Sequence, residues 1–443
     1  MSDSKKPFFS IPSPLHFKAA HVVEQFSKRK GSLKNLTLSS KSVPPSLRKA
    51  VYALSLNVIR YHFILNDIKS RIFIKSDKLT KYMINVLIYD MTLGELSSSD
   101  CSASDLKCSP HAANIWNQRR VMRQVVEDAL LVAKVSSPEE LLPEPIRDIN
   151  KSRGTKWIRM NLLRDLSPLE IATEFNASPD PLVPGLFYLS DDISVHNHPR
   201  VLSFDVVPQN KSSCLPVVAL NPPPNAVCLD ACSAPGSKTC QLLSWKNRPS
   251  KVIAVELSEQ RFDLLQSNLI AYTSPPSKDV PSVDMVPASF LDIEPEESPF
   301  ASVEYILVDA QCSGSGNSKV NMDALLGQFL KSDGQEDFVV KKLPSRLLND
   351  IVDNQIDLVS HALAFPSAKK VVYSTCSIYE EENELVVSKI LLRHNNWTLE
   401  RILPSFPGRG NTQHGKLMDH CVFCEGDDSR DGFFVASFVR KDV

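Results

Sequence analysis

The sequence predicts an α/β protein: a Rossmann-like sheet of parallel strands, preceded by a helical N-terminal domain and a small α+β module. Three observations carry that prediction. From residue 221 onward, short apolar runs alternate with helical patterns, as in strands joined by crossover helices. Between residues 45 and 142 the apolar residues recur near a 3.6 period instead, which is the spacing of an amphipathic helix. Between residues 150 and 222, strand, helix and strand signals crowd together, as in a compact α+β unit.

At 443 residues, 42% hydrophobic and 23% charged, the chain can build two or three domains with sizeable cores. No run of about 18 apolar residues occurs, which excludes a membrane-spanning helix by length. The start, Met1-Ser2-Asp3-Ser4-Lys5-Lys6, lacks the apolar segment of a secretory signal, so an intracellular protein with no membrane partner is expected. Ten cysteines without a regular framework then read as free thiols or catalytic groups. The net charge of -1 hides an asymmetry, because residues 1 to 50 hold ten Lys or Arg against Asp3 and Glu24, a local +8. Such a block suits a polyanion.

Taken in order, residues 1–45 are Ser-, Pro- and Lys-rich and are expected to form a basic, partly disordered arm. Lys28-Arg29-Lys30 in that arm serves RNA contact or nuclear import, or is simply a solvated tail. Residues 46–149 form the helical domain, with Val51, Leu54, Val58, Ile59 and Phe63 on one helix face and a loop from Ser98 to Pro110. Residues 150–222 form the α+β module. Trp157 to Asn161 and Leu186 to Leu189 are its strands, and Ser167-Pro168-Leu169-Glu170 is a capping box with Pro at the first helical position. Lys151, Arg153, Lys156, Arg159 and Arg164 at its start face either phosphates or solvent.

Residues 223–443 carry the parallel sheet. Its strands are Ala226 to Asp230, Lys251 to Glu256, Tyr305 to Asp309 and Val371 to Ser374. Ligands of open α/β sheets bind beyond the carboxyl ends of the strands, where Asp230, Glu256 and Asp309 fall. A carboxylate ending the second strand suits a ribose diol and implies a nucleoside-containing cofactor, while the turn Ala234-Pro235-Gly236-Ser237 has too few glycines for a dinucleotide fingerprint. The stretch Tyr373-Ser374-Thr375-Cys376-Ser377-Ile378-Tyr379-Glu380 places Cys376 after a strand, with Ser377 and Glu380 spaced as the capping box of a following helix. A thiol at a helix N-terminus is activated toward the thiolate, although a lone cysteine is more often a buried structural residue.

Three motifs together resemble those of the Nol/Nop/Sun family of RNA cytosine-C5 methyltransferases: Asp230-Ala231-Cys232-Ser233-Ala234-Pro235-Gly236-Ser237-Lys238-Thr239, Asp309-Ala310-Gln311-Cys312-Ser313-Gly314, and Tyr373 to Glu384. Arg159 to Leu163, Gln209 to Pro216, Ser137 to Pro143 and Gly432 to Val435 extend the likeness, which is strongest to the fifth subfamily, acting on large-subunit (25S/28S) ribosomal RNA. The resemblance implies a class I S-adenosylmethionine-dependent fold, a nuclear and nucleolar location, and work on pre-ribosomal particles. Two departures stand out. Ser237 replaces a usual glycine and is strained if that position needs positive φ, and Gln311 replaces a usual proline. Residues 317–345 look like a surface insertion.

Because C5 of cytosine is a poor nucleophile, a thiolate must first add at C6, and Cys376 suits that task. Asp309 is then placed to protonate N3. By resemblance, Cys312 assists release and Lys238 orients Asp309 or the base. The cofactor residues implied are Asp230, Cys232, Ser233, Ala234, Pro235, Gly236, Ser237, Lys238 and Asp309 around the methionine end, Glu256 at the ribose, Asp292 at the adenine, and Arg261. Cys421 and Cys424, with His414 and His420 nearby, have zinc spacing but no second pair, so no metal site is expected. The alternatives are an inactive RNA-binding scaffold in ribosome assembly, or methylation of tRNA, other RNA or DNA. An intact set of catalytic groups disfavours the scaffold, and Cys376 after the later strand disfavours DNA.

Overall fold

The computed structural model describes residues 10–38, 40–74, 78–99, 101–147, 156–190, 195, 197–274, 280–316, 325–331, 345–426 and 431–441. Lys5, Lys6, Lys151 and Arg153 lie outside the described residues. The chain divides into two units, residues 1–152 with 321–342 and residues 153–320 with 343–443.

The first unit is helical: α1 (Pro14–Ser27), α2 (Leu33–Thr37), α3 (Arg48–Arg60), α4 (His62–Arg71), α5 (Lys81–Thr92), α6 (Pro110–Trp116), α7 (Arg119–Ala133) and α8 (Glu144–Arg147). The expectation of a partly disordered arm over residues 1–45 gives way, among the described residues, to the packed helices α1 and α2. Ala19, Ala20, Val22, Val23 and Phe26 of α1 and Leu33 of α2 are buried in the core. They recur at helical spacing among the lysines, and covering that apolar stripe stabilises about 1.5–3 kcal/mol per large side chain. Residues 325–329 also depart from the expected surface insertion. They are helical, with Leu325, Leu326 and Phe329 buried in the same core and the Phe329 ring 4.8 Å from His62.

The second unit holds two sheets. In the smaller, β1 (Trp157–Met160), β2 (Ala177–Pro179), β3 (Leu186–Leu189) and β4 (Val206–Pro208) pair antiparallel in the order β2-β3-β1-β4. Helix α9 (Pro168–Glu174) starts as expected, with the Ser167 hydroxyl accepting from the Glu170 amide. All four residues of β1 are buried, because both faces of the strand are covered. Arg159 is therefore no phosphate contact. It is 1% exposed and donates to Gln209, Ser244 and Tyr272.

Helices α10 (Pro199–Leu202) and α11 (Lys211–Leu220) lead into the larger sheet. Its strands are β5 (Val227–Asp230), β6 (Lys251–Val255), β7 (Ser282–Val286), β8 (Tyr305–Asp309), β9 (Lys370–Thr375), β10 (Trp397–Leu399), β11 (Val422–Cys424) and β12 (Phe433–Arg440). The order is β10-β12-β9-β8-β5-β6-β7, with β11 paired to β12. Strands β5 to β9 run parallel, and β12 inserts antiparallel beside β9. Helices α12 (Ser237–Leu243), α13 (Glu259–Thr273), α14 (Ser345–Ala364) and α15 (Glu384–Arg393) complete the unit. Coverage on both faces explains why the central strands are apolar throughout: Cys228, Leu229, Val252, Ile253, Ala254, Ile306, Leu307 and Val308 are fully buried. Connections from β5 run one way along the sheet and those from β8 the other, so the loops after these two strands flank the switch point. Among the described residues, no helix is long and apolar enough to cross a membrane.

Candidate active site

The turn after β5 is assembled around two buried carboxylates. Asp230 is 1% exposed; its Oδ2 accepts from the Thr239 hydroxyl at 2.8 Å, and its Oδ1 is buried without a hydrogen-bond partner. Burial pushes its pKa up to about 6, against the lowering effect of Thr239. Asp230 is thus tied to α12 through Thr239. Ser233 donates to the Asp230 carbonyl, and burial pushes the Cys232 thiol up to about 12. Gly236 alone takes the left-handed backbone, with φ 103°, and Ser237 is the first residue of α12. The expected strain at Ser237 is therefore absent, since the positive φ falls one residue earlier.

Glu256, at the carboxyl end of β6, is 4% exposed. Its Oε2 accepts from the Ala234 amide at 3.2 Å and its Oε1 from the Ser258 amide at 3.0 Å. Arg261 donates to the Ala234 carbonyl at 2.6 Å and lies 3.6 Å from Glu256 Oε1, so it braces the turn. Asn268 donates to the Pro235 carbonyl. Asp292 ends the 3-10 turn Phe290–Asp292 and is exposed. The donor set suits S-adenosylmethionine: two amides leave acceptor capacity on the Glu256 carboxylate for a ribose diol.

The loops after β8 and β9 bring the catalytic candidates together. Strand register sets Asp309 beside Ser374, whose hydroxyl donates to Asp309 Oδ1 at 2.6 Å. Lys238 Nζ donates to Asp309 Oδ2 at 2.7 Å and to Ser213 Oγ at 3.2 Å. Cys312 Sγ and Cys376 Sγ are 3.2 Å apart. The Cys312 thiol, donating to Cys376, holds the latter's pKa below the usual thiol value; Lys238 helps, and burial and Asp309 oppose. The same hydrogen bond, with burial, pushes Cys312 well above that value. A cavity of about 210 Å³ opens beside them, lined by Lys238, Asp309, Ser374, Cys376, Asn210 and Asp431 among others.

The capping box expected at Ser377 and Glu380 is not formed. Helix α15 begins only at Glu384, the Ser377 hydroxyl donates to Glu382 at 2.6 Å, and Glu380 accepts from Asn411 and pairs with His414 at 2.9 Å. Cys376 is lowered by its partner thiol and Lys238 rather than by a helix dipole. Residue spacing missed Ser213, Ser374, Glu382, Asn210 and Asp431, which reach the site only through the fold. A serine two residues before Cys376, on a strand register-paired with Asp309, was the one signal available for Ser374. The Cys421 thiol is buried and pushed up by that burial, while His420 bonds the Leu399 carbonyl.

A Rossmann-like sheet whose switch-point loops carry a lysine–aspartate pair and two apposed thiols is the frame of an enzyme with a thiol nucleophile, and the family match makes it an S-adenosylmethionine-dependent methyltransferase. The chain belongs to the family described as 16S rRNA methyltransferase RsmB/F, which matches residues 217–439. It is 30% identical to the 28S rRNA (cytosine-C(5))-methyltransferase of Mus musculus, over 97% of this chain and 91% of that protein. It is 28% identical to the 25S rRNA (cytosine-C(5))-methyltransferase NSUN5 of Arabidopsis thaliana, over 92% of this chain and 69% of that one. The likeness to the fifth Nol/Nop/Sun subfamily is thereby borne out. In fold, the crystal structure of PH0851 superposes with a TM-score of 0.60 at 16% identity, covering 96% of this chain and 99% of its own. A methyltransferase homolog protein from Pyrococcus horikoshii gives 0.51 at 23% identity, covering 71% of this chain and 98% of that one.

Proposed function

We propose that this protein methylates C5 of a cytosine in large-subunit ribosomal RNA, using S-adenosylmethionine, in the nucleolus and on pre-ribosomal particles. The observation that carries the reading is the pair of thiols 3.2 Å apart beside the Lys238–Asp309 pair. Glu256 would hold the ribose, the backbone from Cys232 to Gly236 the methionine end, and Asp292 the adenine, with Arg261 bracing the turn.

Cys376 enters as the thiolate with Cys312 as its hydrogen-bond donor. Its sulfur bonds to C6 of the cytosine, the C5–C6 π electrons shift through the ring, and N3 takes a proton that the Lys238 ammonium passes through Asp309. Bound S-adenosylmethionine would supply the methyl group for C5, its sulfur keeping the electron pair of the broken S–CH3 bond. Release requires loss of the C5 proton: that bonding pair restores C5=C6, the S–C6 bond breaks, and Cys376 departs as thiolate while N3 returns its proton. Once Cys376 is a thioether, its negative charge no longer opposes ionisation of Cys312; having passed its proton to solvent, Cys312 takes the C5 proton as a thiolate base and so assists this step.

Bisulfite sequencing of ribosomal RNA from cells with and without the protein tests the assignment. A single cytosine of the large-subunit RNA should lose protection in cells lacking it and regain it when the wild-type chain, but not Cys376→Ala, is restored. Unchanged protection at every large-subunit cytosine would overturn the substrate.

A further inference from the structure

The sulfurs of Cys312 and Cys376 stand 3.2 Å apart on two loops that the fold holds together. Strands β8 and β9 pair with Asp309 opposite Ser374, so both cysteines follow shortly after a fixed register. Beyond that point the loops are laced to each other. Gly316 donates its amide to the Cys376 carbonyl at 2.9 Å, Ile378 donates its amide to the Ser315 hydroxyl at 2.9 Å, and the Ser315 and Ser377 hydroxyls lie 2.9 Å apart. Glu382, fully buried, accepts from the Ser313 amide at 2.7 Å, the Ser377 hydroxyl at 2.6 Å and the Gln355 amide at 3.2 Å. Ser313 follows Cys312 and Ser377 follows Cys376, so the clamp acts next to each thiol. A disulfide bond is about 2.05 Å long, so the two sulfurs need to close by only about 1.2 Å. Cys376 is exposed and lines the catalytic cavity, and Cys312 is half-buried beside it.

An accessible, readily ionised cysteine with a second thiol in contact is the arrangement that peroxides oxidise reversibly, because the second thiol captures the first oxidation product before it goes further. We propose that Cys376 and Cys312 are an oxidisable pair: a peroxide oxidises Cys376, and Cys312 closes on it as a disulfide that withdraws the nucleophile until a small thiol reduces it. In the first step the Cys376 thiolate bonds to one oxygen of hydrogen peroxide, the O–O bond breaks, and the departing hydroxide takes a proton from solvent. In the second, Cys312 bonds to the Cys376 sulfur, the S–OH bond breaks, and the departing hydroxide takes the proton that Cys312 gives up. The sulfurs lose two electrons between them and the peroxide becomes two waters. Two equivalents of a small thiol restore both cysteines and leave as its disulfide. The hydrogen bond from Cys312 holds Cys376 below the usual thiol pKa, which favours the attacking thiolate. Nearby Cys232 is a poor competitor, since burial pushes its thiol up to about 12, and Cys214, Cys228, Cys240 and Cys421 are buried. The disulfide leaves no thiolate to add at C6. Its formation needs neither RNA nor S-adenosylmethionine, so the inference goes beyond the methylation reading.

The test treats the full-length protein with hydrogen peroxide in the absence of reductant, alkylates the remaining thiols and scores every cysteine by peptide mass spectrometry. In the wild type a peptide pair linked through Cys312 and Cys376 should be the main product. Dithiothreitol should abolish the link and return methyl transfer. Half-buried Cys101 and Cys424 should lose free thiol on the order of tenfold more slowly than the pair. Cys312→Ser lacks the capturing thiol, so its Cys376 should advance to the sulfinic acid, which dithiothreitol does not reverse. Wild-type Cys376 reaching the sulfinic acid while Cys312 stays free would overturn the proposal, as would both thiols surviving a peroxide level that oxidises Cys101 or Cys424. The wild-type map decides even if Cys312→Ser does not fold. A linked pair in a protein whose loss leaves every large-subunit cytosine protected would sink the substrate assignment and leave this inference standing; the opposite pair of results would do the reverse.

Discussion

A thiolate and a thiol in hydrogen-bond contact divide two jobs that one cysteine cannot do together, bond formation at C6 and relief of the product. Cys376→Ala can form no adduct and should lose methyl transfer while still binding RNA. Cys312→Ala should add to its target, accept the methyl group and stall, so a covalent protein–RNA band should accumulate in that variant alone on denaturing gels. A band from Cys376→Ala instead would mean that the two roles are reversed. Asp230 makes a second prediction at this scale. Its folded pKa of about 6 lies above the ordinary 3.8, so between these values the folded chain keeps a proton that the unfolded chain has released. Stability must fall as pH rises through that window, by about 3 kcal/mol in all. Urea unfolding at pH 4 and pH 7 should show this loss in the wild type and not in Asp230→Asn; equal pH dependence would remove Asp230 as its source. Motif residues such as Cys312, Cys376, Lys238 and Asp309 were legible in the amino-acid sequence because they stand in short runs that resemble a family's motifs, at the ends of β8 and β9 and at the start of α12. Glu382 stands inside the last of those motifs, but its donors Ser313 and Gln355 are distant in sequence and meet it only in the folded chain.

At the level of elements, the parallel strands were readable because burial on both faces leaves an unbroken apolar run, and each of the four expected strands is present within a residue or two of its expected ends. Signals that a serine can satisfy in two ways were not readable. Ser167 caps α9 as expected, whereas Ser377, with the same spacing to a glutamate, spends its hydroxyl on Glu382. Strand β12 pairs antiparallel beside β9 across a long sequence separation, which no local pattern announces. The turn after β5 gives predictions on both sides of the correction made there. Gly236→Ala should lose at least about 1 kcal/mol in thermal unfolding, because φ is 103° and a Cβ would lie 3.0 Å from Leu265 Cδ1. Glu256→Gln should weaken S-adenosylmethionine binding roughly ten- to a hundredfold by calorimetry, the loss of a charge-assisted hydrogen bond of about 1.5–3 kcal/mol. An unchanged dissociation constant would remove Glu256 from the cofactor site.

At the scale of the whole molecule, the charge asymmetry of residues 1–50 was visible in composition, but its setting was not. Counting lysines suggested a loose tail, while the helical period of Ala19, Val22, Val23 and Phe26 ran through the same residues and turned them into a packed element. Within the basic triplet, Lys28 and Arg29 therefore have different settings. Lys28 is held by Glu24 at 2.6 Å, its charge partly offset. Arg29, one residue on, instead lines a cavity of about 330 Å³ within the first unit, together with Lys69, Lys81 and Lys331 and with no Asp or Glu among its described lining residues. Arg29, Lys81 and Lys331 around one concavity favour an anion there, and an RNA phosphate is the anion that this family's substrates offer. Each phosphate contact contributes about 0.7 to 0.9 to the slope of log affinity against log salt. The double variant Arg29→Ala, Lys81→Ala should therefore flatten that slope by about 1.4 to 1.8 in anisotropy titrations of a ribosomal RNA fragment across potassium chloride concentrations, whereas Lys28→Ala should leave it near the wild-type value. If the double variant kept the full slope and Lys28→Ala lost it, phosphate contact would belong to the exposed end of α1 and not to the cavity.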